Sequence, residues 1–295
     1  FVLDSTMQKT GKFVVSLIQN KVVTDKASNL KRIKELVSSA VKLHKPQVVV
    51  LSEFWNCPMG KNYAQELSEE EKNSETISVM SEMAKEHNIH LIGGSIPIKD
   101  PERENKIFNV SYSFNDKGEQ KAKYKKLHLF DIDIPGKITY KESAQITPGD
   151  KDDLQCVFDT PYARFGIGIC YDIRFYEHIH LLKKEKNIDC MVYPAAFSLP
   201  TGLIHWDLLR RMRALDNNVH LLICSPSRNW QEPDTHQVYG YSGVVDSYGH
   251  IVSSLGYDEG ILSCTVDLDI NKQISEQIPT WKHKRNELYD VVAKY

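Results

Sequence analysis

Residues 166–175 read GIGICYDIRF. An apolar run carrying Gly166 and Gly168 leads directly into Cys170, and Tyr171, Asp172 and Arg174 follow it closely. The alternation predicts a buried strand, RFGIGIC over 164–170, that ends on the thiol. The segments after it alternate in type. EHIHLLKKEKN (177–187) reads as a helix, IDCMVYPAAF (188–197) as a strand, HWDLLRRMRALDNN (205–218) as a helix and VHLLICSPS (219–227) as a strand. VYGYSGVVDSYGHIVSSLG (238–256) predicts a hairpin turning at Ser247–Gly249, and ILSCTVDLDI (261–270) a last strand.

The N-terminal half follows the same alternation. FVVSLIQ (13–19) is strand-like, Leu30, Ile33, Leu36, Val37, Ala40 and Val41 recur at helical spacing, and Pro46 stops that helix. VVVLSEF (48–54) is a continuous apolar run, which implies cover on both faces. QELSEEEKNSE (65–75) reads as solvated surface. Ile77, Met80, Met83 and Ala84 then form a helical stripe, and IHLIGGSIPI (89–98) a strand. IFNVSYSFN (107–115) and QKAKYKKLHLF (120–130) flank the turn signal DKGE, predicting a hairpin. Repeated β-α-β units with interspersed hairpins predict a mixed α/β architecture of two packed sheets covered by helices. No linker, repeat or low-complexity tract divides the chain. Residues 1–295 are therefore read as a single domain, with 1–11 a loose N-terminal segment.

Composition narrows the function classes. The 295 residues are 41% hydrophobic and carry a net charge of −2, enough for a sizeable core and no bulk attraction to nucleic acid or an anionic membrane. No apolar stretch approaches the ~20 residues of a membrane span. The first residues lack the ordered regions of a signal peptide, and a start at Phe1 leaves room for a short leader. Six scattered cysteines without a C-x-x-C pair argue against a disulfide framework or a zinc site, and for a reducing compartment. The compartment expected is the cytoplasm, with a mitochondrial form as the alternative.

Several motifs fail. GIGICY lacks the third glycine of a dinucleotide fingerprint, and neither a phosphate loop nor a G-x-S-x-G elbow occurs. His178 and His180 are too close for an i, i+4 metal pair. Three other residues share one kind of position: Glu53 ends VVVLSEF, Cys170 ends FGIGIC, and Lys126 lies near the end of KAKYKKLHLF. Ligands collect beyond the carboxyl ends of parallel strands. By strand parity Lys121, Lys123 and Lys125 face one way, and Lys126 shares the other face with Ala122 and Tyr124. A helix N-terminus and a nearby ammonium both favour a thiolate at Cys170, and Glu53 could exchange its proton. The plainer readings are a packed thiol, a fourth surface lysine and an exposed carboxylate.

LSEFWN around Glu53, KYKKLHLFDIDIPGKITYKES around Lys126 and GICYDIRF around Cys170 resemble the nitrilase, or carbon–nitrogen hydrolase, superfamily. The likeness continues through YPAAFSLPTGLIHW, RRMRALDNN, SPSRN and YGYSGVVDSYG, and so covers nearly the whole chain in the family's order. HLFDIDIPGKITYKES and SPSRN look closest to its omega-amidase branch. The resemblance implies a four-layer α-β-β-α sandwich that forms a homodimer, a Glu53–Lys126–Cys170 triad with Glu142 in YKES as a second glutamate, and no metal or organic cofactor. It implies a small-molecule amide substrate, above all α-ketoglutaramate and succinamate. Neighbouring readings are a deaminated-glutathione amidase, a carbamoyl-amide hydrolase, and a non-catalytic binding protein on the same fold. Ser52 before the glutamate, Met59 where tyrosine is expected, and RFYEH depart from the family pattern.

On that reading Cys170 attacks the amide carbon, Lys126 and the Tyr171 N–H hold the oxyanion, and Glu53 moves the protons. Arg174 is the first candidate for a substrate carboxylate, the alternative being an ion pair with Asp172 or Glu177. Phe197 and Thr201 line the pocket, or else serve packing and helix capping.

Overall fold

The computed structural model describes residues 9, 11–60, 62–104, 106–134, 138–231 and 236–294. The elements in order are β1 (Lys12–Gln19), α1 (Lys26–His44), β2 (Val48–Val50), α2 (Tyr63–Glu66), α3 (Glu75–His87), β3 (His90–Ile92), β4 (Ile96–Lys99), β5 (Ile107–Phe114) and β6 (Gln120–Lys125). A short hairpin follows, β7 (Asp131–Ile134) and β8 (Ile138–Lys141). The second half runs β9 (Val157–Asp159), β10 (Arg164–Ile167), α4 (Tyr176–Lys186), β11 (Cys190–Pro194), α5 (Leu199–Asn217), β12 (His220–Cys224), β13 (Gly243–Val245), β14 (Ile251–Ser254), β15 (Gly260–Asp267) and α6 (Asp269–Gln277).

Among the described residues the strands form two large sheets. One has the order β15-β1-β2-β3-β5-β4, with β6 also on β5; the other runs β14-β13-β12-β11-β10-β9. β1, β2 and β3 are parallel, as are β10, β11 and β12, and antiparallel strands flank both sets. The period of two sorts each strand between two cores. Phe13, Val15, Leu17, Val48 and Val50 face the second sheet, where Phe165, Ile167, Val192 and Leu222 join the same cluster. Ile18, Val49 and Leu51 face the other way, onto Leu30, Ile33 and Val37 of α1 and Met80 and Met83 of α3. Ile179 and Leu182 of α4 and Trp206 and Ala214 of α5 cover the second sheet. The result is the expected α-β-β-α sandwich. The continuous VVVL run is apolar because both of its faces are buried.

Several boundaries differ from the sequence reading: the strand expected to end on Cys170 stops at Ile167, and the one expected over 48–54 stops at Val50. The strand expected over 89–98 is two strands, because Gly94 takes φ +62 and turns the chain between them. The strand expected to reach Phe130 ends at Lys125, and the β7–β8 hairpin that follows was not anticipated. α5 begins at Leu199, six residues early; Ser198 and Pro200 are its start signals. Most of the segment expected to be loose lies outside the described residues, but Gly11 is held, its N–H on Asp269 and its carbonyl accepting from Leu268 N. No described helix is long and apolar enough to cross a membrane.

Candidate active site

Glu53, Lys126, Glu142 and Cys170 arrive from four separate segments and meet between the sheets. Glu53 lies three residues beyond β2 in an isolated bridge with Ser95. Gly94 makes that loop possible: a Cβ there would collide with the Ser52 carbonyl oxygen and sit 2.9 Å from the Leu51 carbonyl carbon. Glu53 is fully buried; its Oε1 accepts from Asn109 Nδ2 (2.9 Å) and Lys126 Nζ (3.2 Å), its Oε2 from Ala196 N (2.7 Å). Lys126 follows β6 directly. Parity holds: Lys121 and Lys123 are exposed, Ala122 and Tyr124 buried, and Lys126 is 2% exposed. Its Nζ also donates to Glu142 Oε1 at 2.8 Å, while Glu142 Oε2 accepts from Phe130 N at 2.6 Å. The ammonium is thus clamped between two buried carboxylates.

Cys170 opens a 3₁₀ turn over 170–174 in the left-handed region, φ +47, and is buried. Asp172 ties that turn to the lysine's segment. Its Oδ1 accepts from His128 N (3.0 Å) and His128 Nδ1 (2.7 Å), its Oδ2 from Tyr124 OH (2.7 Å) and Ile169 N (2.8 Å). The residues flanking Lys126 and the residue preceding Cys170 therefore share one fully buried carboxylate. The sequence reading missed Asp172, Asn109 and Ala196. Only the position of Asp172 in CYD was available as a signal; the other two lie far away in the chain.

Burial and charge set the protonation states. Burial, reinforced by Glu53 and opposed by Lys126, holds the Cys170 thiol well above its usual pKa. Burial also lifts the Glu142 carboxyl; Lys126 pulls it down and Glu53 pushes it up. For Lys126 burial opposes the charge, yet Glu142 and Glu53 outweigh it, and the ammonium persists far above the ordinary lysine range. The resting site is a neutral thiol beside a permanent cation. The other cysteines with shifted thiols, Cys57, Cys156, Cys190, Cys224 and Cys264, are all pushed up chiefly by burial, and none of them lines the cavity that opens onto Cys170.

A cavity of about 310 Å³ opens onto Lys126, Glu142 and Cys170. Tyr171, Arg174, Phe197 and Thr201 all line it. Arg174 makes no ion pair with Asp172 or Glu177: among the described residues its guanidinium meets His205 Nδ1 at 3.2 Å and lies over the rings of Phe197 (5.2 Å) and Tyr171 (5.7 Å). Thr201 serves two purposes, since its hydroxyl also meets Ser198 Oγ at 2.8 Å in the first turn of α5. Tyr171 N–H stands at the start of its turn, where no intrahelical acceptor exists. Met59, which the sequence reading marked as standing where tyrosine was expected, also lines the cavity, as do Tyr140 and His236, which that reading did not assign. Among the described residues no group of His, Cys, Asp or Glu is placed to hold a metal ion.

Comparison with known proteins identifies the family. The omega-amidase NIT2-A of Xenopus laevis is 41% identical over 284 residues, 96% of this chain and 99% of that protein. The human omega-amidase NIT2 is 40% identical over 282 residues, 96% and 98% of the two chains. Among solved structures, Saccharomyces cerevisiae Nit3, a member of branch 10 of the nitrilase superfamily, superimposes with a TM-score of 0.83 at 35% identity, over 94% of this chain and 98% of that one. The C. elegans NitFhit protein does so with a TM-score of 0.87 at 31% identity, over 97% of this chain and 68% of that one. The carbon-nitrogen hydrolase family model matches residues 14–274, a span that takes in all four clustered residues and both sheets, and the chain belongs to that family.

Proposed function

We propose that this enzyme is an omega-amidase, hydrolysing the terminal amide of small dicarboxylate monoamides, α-ketoglutaramate and succinamate, to the acid and ammonia. The observation that carries this reading is Arg174. A guanidinium without a carboxylate partner among the described residues faces the same cavity as a thiol and a buried ammonium. Such a fork suits the far carboxylate of a monoamide, and two aromatic rings hold it in place. The names of the relatives point the same way.

In this mechanism Glu53 takes the Cys170 proton as sulfur attacks the amide carbon, so the thiolate forms only when needed. Ala196 N–H, which donates to Glu53 and also interacts with the Cys170 sulfur, keeps acid and nucleophile together. The Lys126 ammonium and the Tyr171 N–H stabilise the oxyanion, where one donor is worth about 10²–10³ in rate. Glu53 returns the proton to the departing ammonia and then takes one from water as the thioester is hydrolysed. Glu142 holds Lys126 in place. A homodimer is supported by a stripe of exposed apolar residues along α5, Leu203, Ile204, Leu208, Met212 and Leu215. Six unpaired cysteines support a reducing compartment such as the cytoplasm.

The test is ammonia release from α-ketoglutaramate, succinamate and deaminated glutathione by the wild-type protein and Cys170→Ala. Cysteine-dependent release, fastest on the first two, is the expected result. Preference for deaminated glutathione moves the chain to the neighbouring branch, and carbon dioxide appearing with ammonia from a carbamoyl amide identifies that hydrolase instead. Ammonia release by Cys170→Ala refutes the mechanism.

A further inference from the structure

Helix α5 grips Arg174 at both ends. The Arg174 carbonyl oxygen accepts from Arg213 Nη2 at 2.9 Å, and the Ile173 carbonyl oxygen from Arg213 Nε at 2.8 Å. These carbonyls close the Cys170–Arg174 turn, and the end of a helical turn lacks donors of its own. At the far end of the side chain, Arg174 Nη2 meets His205 Nδ1 at 3.2 Å. His205 and Arg213 stand eight residues apart on α5, a spacing that keeps them on one side of the helix.

The guanidinium has its tilt and its rotation set by different groups. The rings of Phe197 and Tyr171 lie against it at 5.2 and 5.7 Å and limit the tilt. Rotation within its plane is fixed by the one bond to His205. A guanidinium only donates, so the Nδ1 that meets it is bare and the ring proton sits on Nε2. Arg174, Tyr171 and Phe197 line the cavity, whereas His205 stands outside its lining and acts on the contents through Arg174.

We propose that His205 is a positioning residue for substrate selection: its neutral imidazole fixes the Arg174 fork for the far carboxylate and so sets the preference for carboxylate-bearing amides. The inference rests on the amidase reading and names what makes that site selective. Burial and the neighbouring Arg174 cation both hold His205 below the ordinary histidine value, so the accepting form prevails at neutral pH. Arg174 is the charged group that faces His205 from the cysteine turn. On its own helix Asp207 is paired with Arg210 at 2.6 Å. Arg174 in turn is faced by Cys170 and Tyr171. Protonation of His205 places a hydrogen on Nδ1 and a second cation against the guanidinium, and the bond is lost. The imidazolium adds charge there but no donor on the cavity wall, so it does not replace the fork.

The experiment compares kcat/KM for succinamate and for propionamide, which lacks the carboxylate, from pH 8 to 5 in wild type, His205→Phe and His205→Asn. Both substrates use the same thiol and acid, so titration of the reacting groups cancels in the ratio, and the succinamate carboxylate stays ionised throughout. In wild type the ratio should favour succinamate at pH 7.5 and fall as pH drops toward 5. His205→Phe keeps a ring but no acceptor. It should lower the ratio about tenfold at pH 7.5, the equivalent of one hydrogen bond to a charged group, chiefly through KM. His205→Asn restores an acceptor that does not titrate, and should recover most of the ratio and hold it flat with pH. An unchanged ratio in His205→Phe, a wild-type ratio that does not fall, or the same fall in His205→Asn overturns the inference and leaves the amidase reading intact. No ammonia from wild type on either substrate overturns the amidase reading, and the inference with it.

Discussion

Asp172→Asn removes one charge and turns one acceptor into a donor at a fully buried point. The native carboxylate receives two hydrogen bonds on each oxygen. If the new amide nitrogen replaces Oδ1, His128 Nδ1 can change tautomer and accept, but the His128 backbone N–H loses its partner. If it replaces Oδ2, the Tyr124 hydroxyl can rotate, but Ile169 N–H is stranded. Either orientation orphans one buried backbone donor, which costs about 1–3 kcal/mol, and the remaining bonds lose their charge assistance. Relief from burying an ion offsets part of this, so the net loss is about 2–4 kcal/mol. For a chain of this length that lowers Tm by roughly 3–6 °C. Activity falls further than stability alone predicts, because Asp172 sets Lys126 relative to Cys170, and an ångström of misplacement costs about 10² in rate. Burial opposes the Asp172 charge, but His128 and its other partners outweigh it and hold the carboxyl below its ordinary value. Its stabilisation is therefore fully present above the unfolded pKa, near 4, and lost as pH falls through the lower folded value. The Tm gap between wild type and variant, read by calorimetry, should be constant from pH 5 to 8 and shrink below about pH 4. A Tm change under about 2 °C with kcat/KM kept within twofold would refute the reasoning.

Arg174→Lys keeps the charge but loses the fork. Turnover of carboxylate-bearing amides should fall at least tenfold more than that of a neutral amide such as propionamide, and equal losses on both would assign Arg174 a structural role. Gly94→Ala forces a Cβ against the Ser52 carbonyl in a left-handed backbone, a loss of about 2–5 kcal/mol by thermal denaturation, with Glu53 displaced and activity reduced in the fraction that folds. Lys126→Met leaves Glu53 and Glu142 buried without their cation, and ammonia release should fall by at least 10³. In that variant Glu142, already lifted by burial, loses the cation that pulls it down and binds its proton more tightly folded than unfolded, so stability should drop as pH rises from 5 to 8; a flat profile would show that solvent reaches it.

Much of the site was legible in the chain because it sits where strands end. Alternating and continuous apolar runs marked the buried strands, and parity alone separated Lys126 from Lys121 and Lys123. Glu53 and Cys170 stood out as reactive groups at the ends of apolar segments. Those signals are local, and the backbone period of two or 3.6 carries them. The partners of these residues could not be read in that way. Asn109 and Glu53 are 56 residues apart, Asp172 and Tyr124 are 48 apart, and Ala196 lies 143 beyond Glu53. Nothing in local pattern selects one buried asparagine or aspartate over another. The choice is made when two sheets pack and each buried donor must find an acceptor. The same holds for Arg174, whose neighbours in sequence offered two carboxylates and whose side-chain contacts in space, among the described residues, are His205 and two rings. The amino-acid sequence determined most of the strands, which side chains they bury and which thiol follows one of them. The tertiary structure decided which charges are left without a partner, because desolvation and pairing depend on distances between segments that the chain order does not contain.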